Sequence, residues 1–137
     1  MSYDYPAIIN GLVTNRTSAV NYGVSDFNRV EYAVEAMAAA LRETGDNYTP
    51  STQTTWENTN TWGNWPSAEN MKRYLRNVRV LYVQTGFKIP SGVPATMEYL
   101  NYNGANAIEK ALGDYYTYLQ QAISEYKYCS IRTFCGT

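Results

Sequence analysis

The chain has no histidine, two cysteines among 137 residues, and only 17% charged residues. Without imidazole, Ser-His-Asp and Cys-His catalysis are excluded, as is any metal site that needs a histidine ligand. Cys129 and Cys135 are too few for an all-cysteine zinc cage. They lie in a stretch that reads as extended, where their Cα atoms would sit well beyond the roughly 4.4–6.8 Å of a disulfide; a tight hairpin would bring them together, but free thiols are expected. No run of about 18 apolar residues and no charged-then-apolar leader is present, so neither a membrane span nor a secretion signal is expected. A net charge of −1 provides no global field toward nucleic acid or membrane. Acidic residues are scattered, and the one pair at helical spacing, Glu31 and Glu35, has no evident cleft beside it. No Gly-rich phosphate loop is present. No catalytic residue, metal or cofactor is expected.

What is present is enough for one domain over residues 1–137, with 45% apolar residues and 14 tyrosines. Tyrosine at this level serves either a core that uses Tyr in place of Leu, or an uncharged contact surface. The pattern predicts a mainly α fold: a three-helix bundle with an irregular amino-terminal arm (1–24), a helical body (25–127) and a short extended tail (128–137). The first helix is expected to start at Ser25 or Asp26 as N-cap and to bury Phe27, Val30, Val34, Met37 and Leu41, with Gly45 as its C-cap. Residues 47–65, rich in Thr, Asn and Trp, read as a long loop or a short hairpin. The second helix begins after Ser67 and faces inward through Met71, Leu75, Val78 and Leu81 or Tyr82. The third runs from about Asn103 to Tyr126, with Ala105, Ile108, Leu112, Tyr115, Leu119, Ala122 and Tyr126 on one face. Each helix has a single apolar stripe and needs a neighbour. A coiled-coil oligomer is the alternative arrangement.

Three groups of residues invite a functional reading. Lys72, Arg73, Arg76 and Arg79 recur along the second helix. They suit an anionic partner, or else a solvated face, or a stripe answered across the bundle by Glu31 and Glu35. Trp56, Trp62 and Trp65 would suit stacking on a glycan or another partner, or closing one end of the bundle. Asn28 and Arg29 come too early in the first helix to be core. They are expected to dock the amino-terminal arm, Arg29 through its multi-donor guanidinium and Asn28 through local capping. Asn15, Arg16 and Thr17 are the arm's own expected anchors, and Asn77 and Asn106 are expected to make similar helix-to-loop contacts.

Four stretches, in order, carry a family resemblance: NRTSAV (15–20), NYGVSDFNRVEYAV (21–34), WPSAENMKRYLRNV (65–78) and VPATMEYLNYNGANAIEKAL (93–112). Together they resemble a family of small proteins encoded by phages and prophages of Gram-positive bacteria. Its members read NRT-x-A-D, then Y-N-x-x-D-L-N-R-V-E, then W-P followed by M-x-R-Y-L-x-N-V, then A-N-x-I-E-x-x-L. Here Val20 replaces the Asp, Phe27 replaces a Leu, Gly104 replaces a common Glu, and the insert before the second motif is short. Genes of that family lie among late tail genes, and no catalytic residues are established for it. The resemblance implies a tail, baseplate or fibre-associated virion protein. It would be made in the host cytoplasm and would act through contacts with other virion proteins and with copies of itself, without nucleic acid or membrane. A module binding host-surface glycan or anionic wall polymer is the alternative. A small wall-degrading enzyme would need two facing carboxylates about 5–10 Å apart.

Overall fold

The computed structural model describes residues 3–17, 23–56, 67–98 and 100–131, with side chains in the last helix described to residue 124. Among the described residues there are four helices and no strand: α1 (Tyr5–Gly11), α2 (Val24–Arg42), α3 (Ala68–Thr85) and α4 (Tyr102–Ile131). Helices α2, α3 and α4 each pack against the other two, and α1 lies on α2. None is long and apolar enough to cross a membrane, among the residues described.

Helical periodicity accounts for the core. Phe27, Val30, Val34, Met37 and Leu41 of α2 are all buried, as are Leu75, Val78, Leu81 and Tyr82 of α3. So are Ala105, Ile108, Leu112, Tyr115 and Leu119 of α4. Ala33, Ala36, Ala38 and Ala40 are buried beside the α2 stripe, where small side chains leave room for neighbouring helices. Two expected core positions differ, and the Tyr126 side chain lies outside the described residues. Met71 is only half-buried and Ala122 is exposed, because each lies where its stripe runs out toward an open surface. Tyrosine serves both purposes: Tyr74, Tyr82 and Tyr115 are core, while Tyr32 and Tyr118 are exposed. The buried Tyr82 hydroxyl donates to the Ala111 carbonyl at 2.6 Å, which meets its hydrogen-bonding need.

The arm expected to be irregular contains a helix. Asp4 Oδ1 accepts the Ala7 N–H at 3.2 Å and Pro6 stands in the first turn, a start signal that suits seven residues. The Tyr5 ring stacks on Tyr116 of α4 with centroids 5.2 Å apart, and Tyr3 meets Tyr32 of α2 edge-on at 5.5 Å. These ring contacts seat a helix too short to be stable alone.

Helix boundaries also shift. Helix α2 starts at Val24 with Gly23 as N-cap, and Asp26 in its first turn accepts the Gly23 N–H at 2.8 Å. A carboxylate there answers both an orphan donor and the positive helix end, so Asp26 acts from inside the helix rather than before it. The C-cap is Glu43, and Gly45 follows in the turn with φ 103°. Helix α3 has Ser67 as N-cap, its Oγ accepting from Asn70 N–H at 3.2 Å, and ends on left-handed Gly86. At the start of α4, Asn101 Oδ1 caps the Gly104 N–H at 2.8 Å. The tail expected to be extended from residue 128 is helical through Ile131, because no Pro or Gly interrupts residues 114–131. Residues 132–137, with Cys135, and the Cys129 side chain lie outside the described residues. Residues 47–56 are irregular backbone rather than a strand, and 57–66 lie outside the described residues.

Candidate functional site

The buried charges gather at two places, and each place begins with the same four-residue pattern on a helix. On α4 it is Asn106-Ala107-Ile108-Glu109, and on α2 it is Asn28-Arg29-Val30-Glu31. A spacing of three sets Asn and Glu on one helix face, beside a fully buried β-branched residue, Ile108 or Val30. Each pattern clasps an irregular segment passing over its helix.

The first clasp holds residues 13–16. Asn106 pairs with both backbone groups of Arg16: its Oδ1 accepts the Arg16 N–H at 3.1 Å and its Nδ2 donates to the Arg16 carbonyl at 2.9 Å. One turn on, Glu109 Oε1 accepts the Val13 N–H at 2.9 Å. Glu109 is fully buried and accepts three further bonds: from Arg16 Nη2 at 2.6 Å, Arg29 Nε at 2.6 Å and Arg29 Nη2 at 2.8 Å. Asp26 joins the same network by accepting from both guanidiniums. Two arginines thus face two carboxylates, and the buried charge balances.

The pKa directions follow from this arrangement. Burial by itself would raise the Asp26 carboxyl, but the Gly23 N–H and the guanidiniums of Arg29 and Arg16 outweigh it and hold it below its ordinary value. The hydrogen bond to Glu109 raises Arg29 against the opposing effect of burial, with Asp26 adding to the rise. Arg16 is likewise raised: burial opposes, and Glu109 and Asp26 prevail.

The second clasp holds residues 53–56 in the same register. Asn28 Oδ1 accepts the Trp56 N–H at 2.7 Å and its Nδ2 donates to the Trp56 carbonyl at 2.7 Å. Glu31 Oε1 accepts the Gln53 N–H at 3.2 Å, as Glu109 does from Val13. The side chain of the clasped residue again reaches the same glutamate, here as the Trp56 indole N–H donating to Glu31 Oε2. Arg73 of α3 adds the cation, with Nη1 at 2.6 Å from Glu31 Oε1. Neighbouring bonds extend the hold: Asn77 Nδ2 donates to the Ser51 carbonyl at 2.8 Å, and Thr52 Oγ1 donates to Glu35 at 2.7 Å.

The residues singled out in the sequence therefore divide. Arg16 and Arg29 meet at one buried carboxylate, with Arg29 reaching the arm through Glu109 and Asp26 rather than directly. Asn28 is not placed as a local cap or an arm contact: its amide donates to and accepts from the backbone of residue 56. Asn15 and Thr17 are exposed on either side of Arg16. The cationic stripe splits as well: Arg73 turns to Glu31, and Arg79 Nη2 donates to the Pro94 carbonyl at 2.7 Å. Lys72 and Arg76 remain exposed. Trp56 is buried with its indole bonded to Glu31, so its ring is not open to a sugar, while Trp62 and Trp65 lie outside the described residues.

Sequence reasoning passed over Asp26, Glu31 and Glu109 as clasp members, although the repeated N-x-x-E was there to be found. Known protein families, curated proteins and solved structures were all compared with the chain, and none of them matches it.

Proposed function

We propose that the protein is a structural component of a phage virion, tail-, baseplate- or fibre-associated, that works through contacts with other virion proteins and with copies of itself. Its body is a three-helix bundle of α2, α3 and α4, onto which the arm and the 48–56 segment are fastened. The observation that carries this reading is the use to which the charged and amide residues of the family-like stretches are put. Arg16, Asp26, Arg29, Glu31, Arg73, Asn77, Asn106 and Glu109 all bond to other parts of the same chain. Acid–base chemistry needs a titratable group turned toward a ligand. Among the described residues the two most buried carboxylates, Glu31 and Glu109, each accept from arginine and backbone donors. Such a motif maintains a shape, and a shape is what an assembling particle requires of its parts. The host-surface reading is weakened by the burial of Trp56.

Two measurements test the proposal. Mass spectrometry of gradient-purified particles induced from the strain carrying the gene should find the chain among the virion proteins. Light scattering on a size-exclusion column should give a trimer or hexamer, matching the rotational symmetry of tails. Absence from particles that otherwise contain their full tail would overturn it.

A further inference from the structure

Along one flank of α3, at the edge of the core, lies an open groove of about 620 Å³, closed on its other wall by residues 95–98. Its floor is apolar, with Met71 and Leu75 from α3 and Met97 opposite. Lys72, Arg76 and Arg79 stand along it, against Glu98 as the one acid of the lining, in a chain whose net charge is −1. We propose that this groove docks an acidic amphipathic helix of another protein. The inference rests on the protein-contact reading above and specifies the chemistry of the partner.

Three features select that occupant. The lining positions on α3 recur every three or four residues from Ala68 to Arg79, a length of about 16 Å, which matches roughly three turns of a helix laid alongside. The apolar floor rewards a partner with its own apolar stripe, whereas a bare polyanion would leave the half-buried Met71 and Met97 uncovered. Methionine side chains adapt to a docking helix better than branched ones do.

The cations are sorted to suit. Arg73, which would otherwise continue the stripe, is drawn to Glu31. Arg79 fixes the far wall through its bond to the Pro94 carbonyl. Lys72 pairs with Glu69 at 3.4 Å in an exposed i,i+3 arrangement, which costs little to open. Arg76 is exposed at the groove edge. Acidic residues flanking the partner's apolar stripe would meet Lys72 and Arg76.

The test uses the full chain with methionine methyl groups labelled, titrated with a fluorescein-tagged peptide of about twelve residues that carries leucines on one helical face and glutamates on the other. Saturable binding should shift the Met71 and Met97 methyl signals and leave that of buried Met37 in place. The double variant Lys72→Glu, Arg76→Glu should keep its melting temperature, since both positions are exposed, and bind at least about tenfold more weakly. Several results would overturn the groove assignment: no saturable binding, equal affinity in the double variant, equally tight binding of polyglutamate, or a wild-type dimer that the double variant abolishes. A chain found in particles but deaf to the peptide removes the groove alone. A chain that binds the peptide but is missing from particles removes the virion assignment alone.

Discussion

The clasp on α4 and the clasp on α2 fasten their segments in one register but with different chemistry. In each, the asparagine pairs with the backbone of one residue, the glutamate accepts the N–H of the residue three positions earlier, and the clasped side chain returns to that glutamate. In the first clasp that side chain is a cation, Arg16, and a second cation, Arg29, shares Glu109, so Asp26 is needed to balance the charge. In the second it is a neutral indole, and the single cation comes from outside as Arg73. The backbone pattern therefore depends on the Asn and Glu spacing. The charge arrangement around it sets how much is lost when the pattern is broken.

That difference predicts an order of effects. Glu109→Ala leaves Arg16, whose side chain is 7% exposed, and Arg29 with Asp26 as the one carboxylate of the network to balance both. A loss of about 3–5 kcal/mol in urea unfolding is expected, with a melting temperature lower by roughly 10 °C. Glu31→Ala should cost less, about 2–3 kcal/mol, because Arg73 is already 18% exposed and can turn to water. Its tryptophan emission should move to the red as Trp56, no longer tethered through its indole N–H, gains contact with water. Equal losses from the two variants would erase the distinction between the clasps.

The asparagines sharpen the comparison from the other side. Each makes the same pair of backbone bonds, and Asn106 Oδ1 also accepts from Arg16 Nη1 at 3.1 Å, so both Asn106→Ala and Asn28→Ala should cost about 1–3 kcal/mol, with Asn106→Ala the larger. The smallest effect is a dependence on pH. The Asp26 carboxyl is held below its ordinary value, so its contribution is complete above the unfolded value of about 3.9 and is lost as the pH falls through the lower folded value. Wild-type unfolding midpoints should fall over that acid range, and Asp26→Asn should flatten part of that limb. An unchanged limb would remove Asp26 from the network's energetics.

Periodicity made the cores of α2, α3 and α4 legible, because a stripe such as Phe27, Val30, Val34, Met37 and Leu41 reports its own burial. The Ser67 cap was equally plain, since its partner is three residues away. Helix α1 escaped because seven residues carry too little pattern, and its Asp4 and Pro6 signal is as common in turns. The clasps escaped for another reason. Asn106 and Glu109 bond to residues 80 or more positions away, and local sequence does not say which loop will cross a helix. Repetition was the available signal: NRVE and NAIE share Asn, a buried β-branched residue and Glu at the same spacing. Reading Asn28 and Arg29 together as arm anchors pointed Arg29 to the right neighbourhood, where it shares Glu109 with Arg16, but not Asn28, which holds residue 56. Glu109, on which four donors converge, looked like one more helix-face charge.

The most direct measurement is amide hydrogen exchange by NMR on the wild-type chain and on Glu109→Gln. Val13, Arg16, Gln53 and Trp56 lie in irregular backbone, where amides normally exchange freely, yet each donates to a clasp residue. All four should be protected while exposed Asn15 and Thr17 are not, and Glu109→Gln should weaken protection at Val13 and spare Gln53 and Trp56. Free exchange at Val13, Arg16, Gln53 and Trp56 in the wild-type chain would contradict the paired clasps.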